Sequence, residues 1–122
     1  MVFTVMITAP RKPGITHEYF RTRYEQHMLM VADLCGDAAP ISHTRFYPQH
    51  DNTTDRPMLL AGSADETNDS VIVLMEFEDE KAFGRFTAAL TTEEANAKIR
   101  EDEAGFWERE GMKVMVVDRY ES

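Results

Sequence analysis

The stretch VFTVMITAPRKPGITHEYFRTRYEQHMLMVADLCG, residues 2–36, contains three kinds of local order in succession. Residues 2–9 alternate apolar with mixed side chains and are rich in β-branched types, the pattern of a strand. Pro10-Arg11-Lys12-Pro13-Gly14 neither continues a strand nor starts a helix, because two prolines remove backbone donors and the glycine favours a turn. Thr16 is a good N-cap and Glu18 places an acid in the first turn, where the helix dipole favours it. Phe20, Tyr24, Met28, Val31 and Leu34 then recur at helical spacing, predicting a helix over residues 17–35 that Gly36 ends.

Working outward, residues 41–47 read as a second strand that extends towards His50. On it Ile41, His43, Arg45 and Tyr47 share one face, and Ser42, Thr44 and Phe46 share the other. Residues 51–70 are dominated by Asp, Asn, Thr, Ser and Gly around Met58, Leu59 and Leu60, a long connection of the kind that borders ligand sites and moves. Residues 71–77 form an apolar run expected to be a buried strand. Asp79 caps a helix carrying Ala82, Phe83, Phe86, Ala89 and Leu90. Thr91 with Glu94 reads as a capping box for another helix reaching Phe106. Residues 112–118, after Gly111, alternate as a last strand, with Val114 and Val116 facing one way and Met115 and Val117 the other.

The order β-α-β-β-α-β predicts an α+β, ferredoxin-like fold: a four-stranded antiparallel sheet with the helices on one face. The bare sheet face would then be a large apolar patch, best covered by a second copy, so a homodimer is expected. The whole chain, residues 1–122, is expected to be one domain, since domains average roughly 100 to 200 residues. Hydrophobic residues make up 43% and charged residues 29%, adequate for a folded core. A formal charge of -9 opposes capture of a nucleic acid or an anionic membrane. The longest apolar runs fall far short of the roughly 20 residues that span a bilayer, and no basic region followed by an apolar core marks a signal peptide. A lone Cys35 permits no internal disulfide and no multi-cysteine metal site, which agrees with a reducing, cytoplasmic setting.

The candidate chemistry lies in polar residues standing where apolar ones are expected. His27 falls three residues after Tyr24 and four before Val31, beside the apolar stripe of the first helix. It is either a structural histidine bonded to a backbone carbonyl or Glu25, or a general acid or base in a semi-enclosed pocket. His43 and His50 frame the second strand, and Tyr47 shares a face with His43, so imidazole and phenol can converge on one ligand. Asp102, three residues after Ile99 and four before Phe106, either borders the buried stripe of its helix or joins Glu101 and Glu103 on a solvated face. His17, near the start of its helix, is expected to be solvated, and Arg11 and Lys12 to be exposed charges on a turn. The His-x6-His spacing matches no metal motif, and no metal is expected. No glycine-rich nucleotide loop or nucleophile elbow is present, so nicotinamide, flavin, nucleotide and serine-hydrolase chemistry have no motif support.

Arg11-Lys12-Pro13-Gly14-Ile15-Thr16, Phe20, Tyr24-Glu25-Gln26-His27 and Asp102-Glu103-Ala104-Gly105-Phe106 together resemble the EthD-like family of dimeric α+β barrel proteins. Family members commonly follow this histidine with a small residue and a proline, where Met28-Leu29-Met30 stands here. The resemblance implies a dimer, a pocket between helices and sheet, and chemistry without a cofactor. It points to dehydration, decarboxylation or cyclisation of a polyketide-like aromatic intermediate; by their placement, His27, His43 and Asp102 are expected to be the catalytic residues. Tyr24, Tyr47, His50 and Phe106 are then expected to bind a small hydrophobic substrate. A cofactor-free oxygenase of anthrone-like substrates and a non-catalytic, ligand-binding accessory dimer are the alternatives.

Overall fold

A computed structural model describes residues 2–63 and 69–121. Strand β1 (Phe3–Pro10) leads through the Pro-rich turn into helix α1 (His17–Cys35). β2 (Ser42–Phe46) and β3 (Asp69–Phe77) follow, then helices α2 (Glu80–Leu90) and α3 (Glu93–Glu103), and β4 (Lys113–Val117). The strands pair in the order β2-β3-β1-β4, antiparallel throughout, so the chain has the ferredoxin-like α+β fold. Among the described residues no helix is long and apolar enough to cross a membrane.

The pleat sorts the side chains. Phe3, Val5, Ile7 and Ala9 of β1 share the helix-covered face with Val71, Val73, Met75 and Phe77 of β3, where they meet Phe20, Tyr24 and Val31 of α1 and Phe86 of α2. Met6, Ile72, Leu74, Phe46 and Met115 fall on the opposite, uncovered face by register. Phe46 there is 50% exposed and Met115 41%.

Helix α1 has the predicted bounds. The Thr16 hydroxyl accepts from the Tyr19 N–H, and Gly36 at φ 50° takes the left-handed conformation that suits glycine at a helix end. Several boundaries differ from the sequence reading. β1 runs on into Pro10, which pairs with Asp69, so β3 begins at Asp69 instead of residue 71; three further differences have local causes. β2 stops at Phe46 instead of approaching His50, because Pro48 has no N–H to donate and His50 forms its own bridge to Pro57. α3 is capped by Thr92, whose hydroxyl accepts from Ala95, while the Thr91 hydroxyl bonds back to the Thr87 carbonyl. α3 also ends at Glu103, short of Phe106. The chain turns there so that Phe106 C=O accepts from the Lys12 N–H at 2.8 Å and Trp107 bridges Arg11. This long-range pairing to the turn after β1 wins over a helical pattern that Phe106 would otherwise continue.

Candidate functional site

The buried stripe of α1 carries His17, Phe20, Tyr24 and His27, at intervals of three, four and three residues, so two imidazoles lie on the inward face of one helix. His27 sits mid-helix and is 1% exposed. Its Nδ1 donates to Asp102 Oδ2 at 2.7 Å, and its Nε2 lies 3.7 Å from Glu103 Oε2. Phe106 and Trp107 pack edge-on against the ring, with centroids 5.3 and 5.9 Å away. Asp102 also accepts from Arg23 at 3.2 Å, and Arg109 donates to Glu103 at 2.6 Å. Burial pushes the Glu103 carboxyl up, against the pull of Arg109 and His27. This charged cluster ties α1 to the end of α3.

The other imidazole, His17, is the first residue of α1 and only 6% exposed. Its ring stacks on that of His50, with centroids 3.6 Å apart and planes 12° from parallel. The Nδ1 of His17 is buried and has no hydrogen-bond partner among the described residues. Burial, seconded by His50 and Arg11, pushes the His17 pKa down to about 4, and burial lowers that of His50 as well. Both rings are therefore neutral at pH 7. The Nδ1–H of His50 donates to the Pro48 carbonyl at 2.7 Å, which leaves Nε2 as the nitrogen with the lone pair.

Both imidazoles line a cleft of about 690 Å³ together with Arg21, Tyr47, Asp51, Asp55 and Met58. That volume suits a small ligand, for which sites of roughly 300 to 1,000 Å³ are usual. Asp55 closes one side. Its carboxylate accepts from the His17 backbone N–H at 3.2 Å and from Arg11 at 2.8 Å, across a residue held at φ 56°. Tyr47 edges against His17 and Tyr24, and its hydroxyl donates to Glu25, which Arg45 grips with two further bonds of 2.6 and 2.7 Å. Burial and the Glu25 charge push the Tyr47 phenol well above its usual range, so it keeps its proton.

The structure brings some of the expected residues together and separates others. His27, Asp102, Tyr24 and Phe106 form one cluster, but Tyr24 and Phe106 are fully buried in an aromatic core, away from the cleft. Asp102 does border the buried stripe, through its bond to His27. His43 lies in β2 and Tyr47 just past its end, and they line different cavities: Tyr47 belongs to the cleft, and His43 to an apolar cavity beside Met28 and Cys35. Asp51, Asn52, Thr53, Asp55 and Met58 of the long connection line the cleft; residues 64–68 of that connection lie outside the described residues.

The expectations for His17 and for the turn need correction. His17 is buried because the strand-to-helix turn and the 50–58 segment close over it, and Arg11 is engaged by Asp55. Sequence reading missed His17, Glu103 and Asp55. The first two carried a signal: His17 is spaced correctly from Phe20 and Tyr24, and Glu103 from Ala95 and Ile99. Asp55 carried none, since its role depends on contacts made across 38 and 44 residues. Among the described residues no group of three or more His, Cys, Asp or Glu side chains is placed to hold a metal ion.

The four-stranded antiparallel sheet with its helices makes this a ferredoxin-like α+β protein. Within that class the chain belongs to the EthD domain family, whose model matches residues 12–110. No curated protein sequence matches it. Among solved structures it is similar to an ethyl tert-butyl ether D (EthD) family protein from Bacillus halodurans, with 12% identity, 98% of this chain and 100% of that one covered, and a TM-score of 0.57. A dimeric ferredoxin-like protein of unknown function from Jannaschia matches at 11% identity, 98% and 100% coverage, and a TM-score of 0.57. A mutant form of SnoaB, a cofactor-independent oxygenase from Streptomyces nogalater, matches at 12% identity, 99% and 94% coverage, and a TM-score of 0.53. At these identities the likeness is one of fold.

Proposed function

We propose that this chain is a cofactor-independent enzyme that moves protons on a small hydroxylated aromatic carbonyl compound of the polyketide type, acting as a lyase or cyclase in the cleft at the start of α1. The observation that carries this reading is the stacked pair of neutral imidazoles on a cleft of ligand size, one of them with its tautomer fixed. Loss of water or carbon dioxide beside a carbonyl, and ring closure, pass through an enol or enolate. The reaction therefore needs a base for the C–H or O–H proton and a donor for the developing oxyanion.

His50, with Nδ1–H committed to Pro48, has Nε2 as its basic nitrogen. His17, neutral and at the positive end of the α1 dipole, is suited to donate to the oxyanion; a neutral imidazole at a helix N-terminus is a known electrophile for a carbonyl oxygen. Tyr47 forms a wall, since its hydrogen is committed to Glu25. Arg21, Gln49, Asn52 and Thr53 make the cleft polar, which fits several hydroxyl groups on the ligand better than a bare hydrocarbon. In this scheme His27 and Asp102, first expected to be catalytic, are positioning residues. His27 lies one helical turn beyond Tyr24 on α1 and Asp102 near the end of α3, so their bond holds α1 against α3 and sets where His17 meets His50.

We also propose that two copies associate through the uncovered sheet face, whose apolar residues are otherwise left in water. The reaction class is tested with anthrone under argon in D₂O, by following deuterium entry at its methylene carbon by NMR. Catalysed exchange without oxygen is the expected result. Consumption of oxygen with oxidation at that carbon when air is admitted would replace the lyase or cyclase reading with the oxygenase one, since an oxygenase begins with the same deprotonation.

A further inference from the structure

The segment of residues 49–58, which carries His50, holds its own shape. The Met58 N–H donates to the Gln49 carbonyl at 2.8 Å, His50 bridges Pro57, and the Asp51 N–H donates to the Arg56 carbonyl at 2.9 Å. At the tip, the Asp51 carboxylate accepts from the N–H groups of Thr53 and Thr54 at 2.8 and 2.9 Å, and the Asp51 carbonyl accepts from the Asp55 N–H at 2.8 Å. None of these bonds ties the segment to α1. His17, the other half of the imidazole pair, is the first residue of α1, so the two stacked rings belong to separately bonded parts of the chain.

Three bonds cross from this segment to the turn after β1 and the start of α1, and each ends on Asp55. Its carboxylate accepts from the His17 backbone N–H at 3.2 Å and from Arg11 at 2.8 Å, and its carbonyl accepts from the second Arg11 nitrogen at 2.8 Å. Arg11 is held from behind by its bridge to Trp107. The conformation of Asp55, at φ 56°, is one that glycine adopts freely and asparagine about as readily as aspartate. What aspartate adds is a charged acceptor, which strengthens bonds to a guanidinium and to the N–H groups at a helix start. Proton transfer between placed groups depends on such fixing, since a displacement of about 1 Å costs on the order of 10²-fold in rate.

We propose that Asp55 is a positioning residue for the reaction in the cleft: with Arg11 as its counter-ion, it clamps the segment bearing His50 to the first residue of α1 and holds the His17–His50 stack in place. The proposal rests on the reading of these two imidazoles as the reacting groups, and Asp55 acts through them without exchanging a proton itself. A clamp and a bare charge effect differ in sign. Burial lowers the His17 pKa most, His50, Arg11 and Arg21 lower it further, and Asp55 raises it. Removing the Asp55 charge with the stack intact therefore lowers the His17 pKa, whereas releasing the clamp wets the ring and lets it titrate towards the ordinary 6.5.

The test is NMR of the full chain, labelled with ¹³C and ¹⁵N at histidine, for wild type, Asp55→Asn, Asp55→Gly and Arg11→Gln. Asp55→Asn keeps the turn and an oxygen for the His17 N–H, so it is expected to retain the ring-current shifts of stacked rings, with His17 titrating below its wild-type value. Asp55→Gly suits the turn but lacks the side chain, and is expected to lose those shifts and raise the His17 pKa. Arg11→Gln should move both readouts the same way by less. In anaerobic deuterium exchange of anthrone, Asp55→Gly is expected to lower kcat about 10²-fold with KM within about twofold of wild type, and Asp55→Asn to recover most of that loss. Wild-type ring-current shifts in folded Asp55→Gly, or wild-type kcat in it beside an inactive His50→Gln, would overturn the proposal alone. Wild-type exchange in His50→Gln would overturn the reading of the site and the proposal with it.

Discussion

His17 and His50 face each other as neutral rings, and that gives the pH dependence of stability a definite sign. Burial holds the His17 pKa near 4 against an ordinary 6.5, so between these values the unfolded chain binds a proton that the folded chain refuses. Stability therefore rises from about pH 4 to about pH 6.5 on account of His17 and is flat above. His50 and His43, both lowered by burial, add to the same slope. Glu103 acts in the opposite direction, because its raised carboxyl favours the folded state at low pH. The comparison that isolates His17 is urea unfolding of wild type and His17→Gln across this window, and the variant is expected to show the shallower rise. Parallel curves would mean that protons reach His17 freely in the fold. At this scale the sequence was only partly legible. The spacing set His27 and Asp102 each beside an apolar stripe but did not pair them; they meet at 2.7 Å, while Glu25 is bonded to Arg45 and Tyr47. His17 had the same signal but stands at a helix start, where solvation is the ordinary expectation. Asp55 owes its place to a left-handed backbone residue and two distant partners, none of which leaves a local pattern.

The elements were more legible than their ends. Helix α1 could be bounded in advance because its N-cap, its apolar period and its terminal glycine all agree. Helix α3 was misplaced at both ends, for reasons that mutation can separate. Adjacent threonines offer equivalent hydroxyls, and only the backbone geometry selects Thr92 as the cap. Thr92→Ala is expected to cost about 1 kcal/mol in urea unfolding. Thr91→Ala should cost clearly less, since its hydroxyl only returns to the Thr87 carbonyl. The reverse ranking would restore the capping box at Thr91. At the other end, the turn after α3 must bring residues 106–111 back over the turn after β1. Gly111 makes the closest approach, and a Cβ there would overlap the Pro10 ring. Gly111→Ala is expected to destabilise the chain by about 1 to 3 kcal/mol through overpacking, read as a lowered urea midpoint. A neutral outcome would show that the two turns can separate.

Across the whole molecule, the element order was enough to give the sheet topology, because few arrangements satisfy β-α-β-β-α-β without crossed connections. It did not locate the cleft. The aromatic residues expected around a substrate, Tyr24 and Phe106, instead fill the core with Phe20 and one another, and the cleft opens at the polar end of α1. The uncovered sheet face is the other global feature. If two copies bury it, sedimentation at micromolar concentration gives a dimer, and Leu74→Asp, at the centre of that face, gives a monomer; a monomeric wild type would remove the interface. The location of the reaction is the central claim, and it is decided by anaerobic deuterium exchange of anthrone measured side by side for wild type, His50→Gln and His27→Gln. Removal of a general base costs about 10² to 10⁴-fold, so His50→Gln is expected to lose exchange on that scale while folded His27→Gln keeps most of it. Near wild-type exchange in His50→Gln, with loss in an equally folded His27→Gln, would contradict the account and return the acid–base role to the middle of α1.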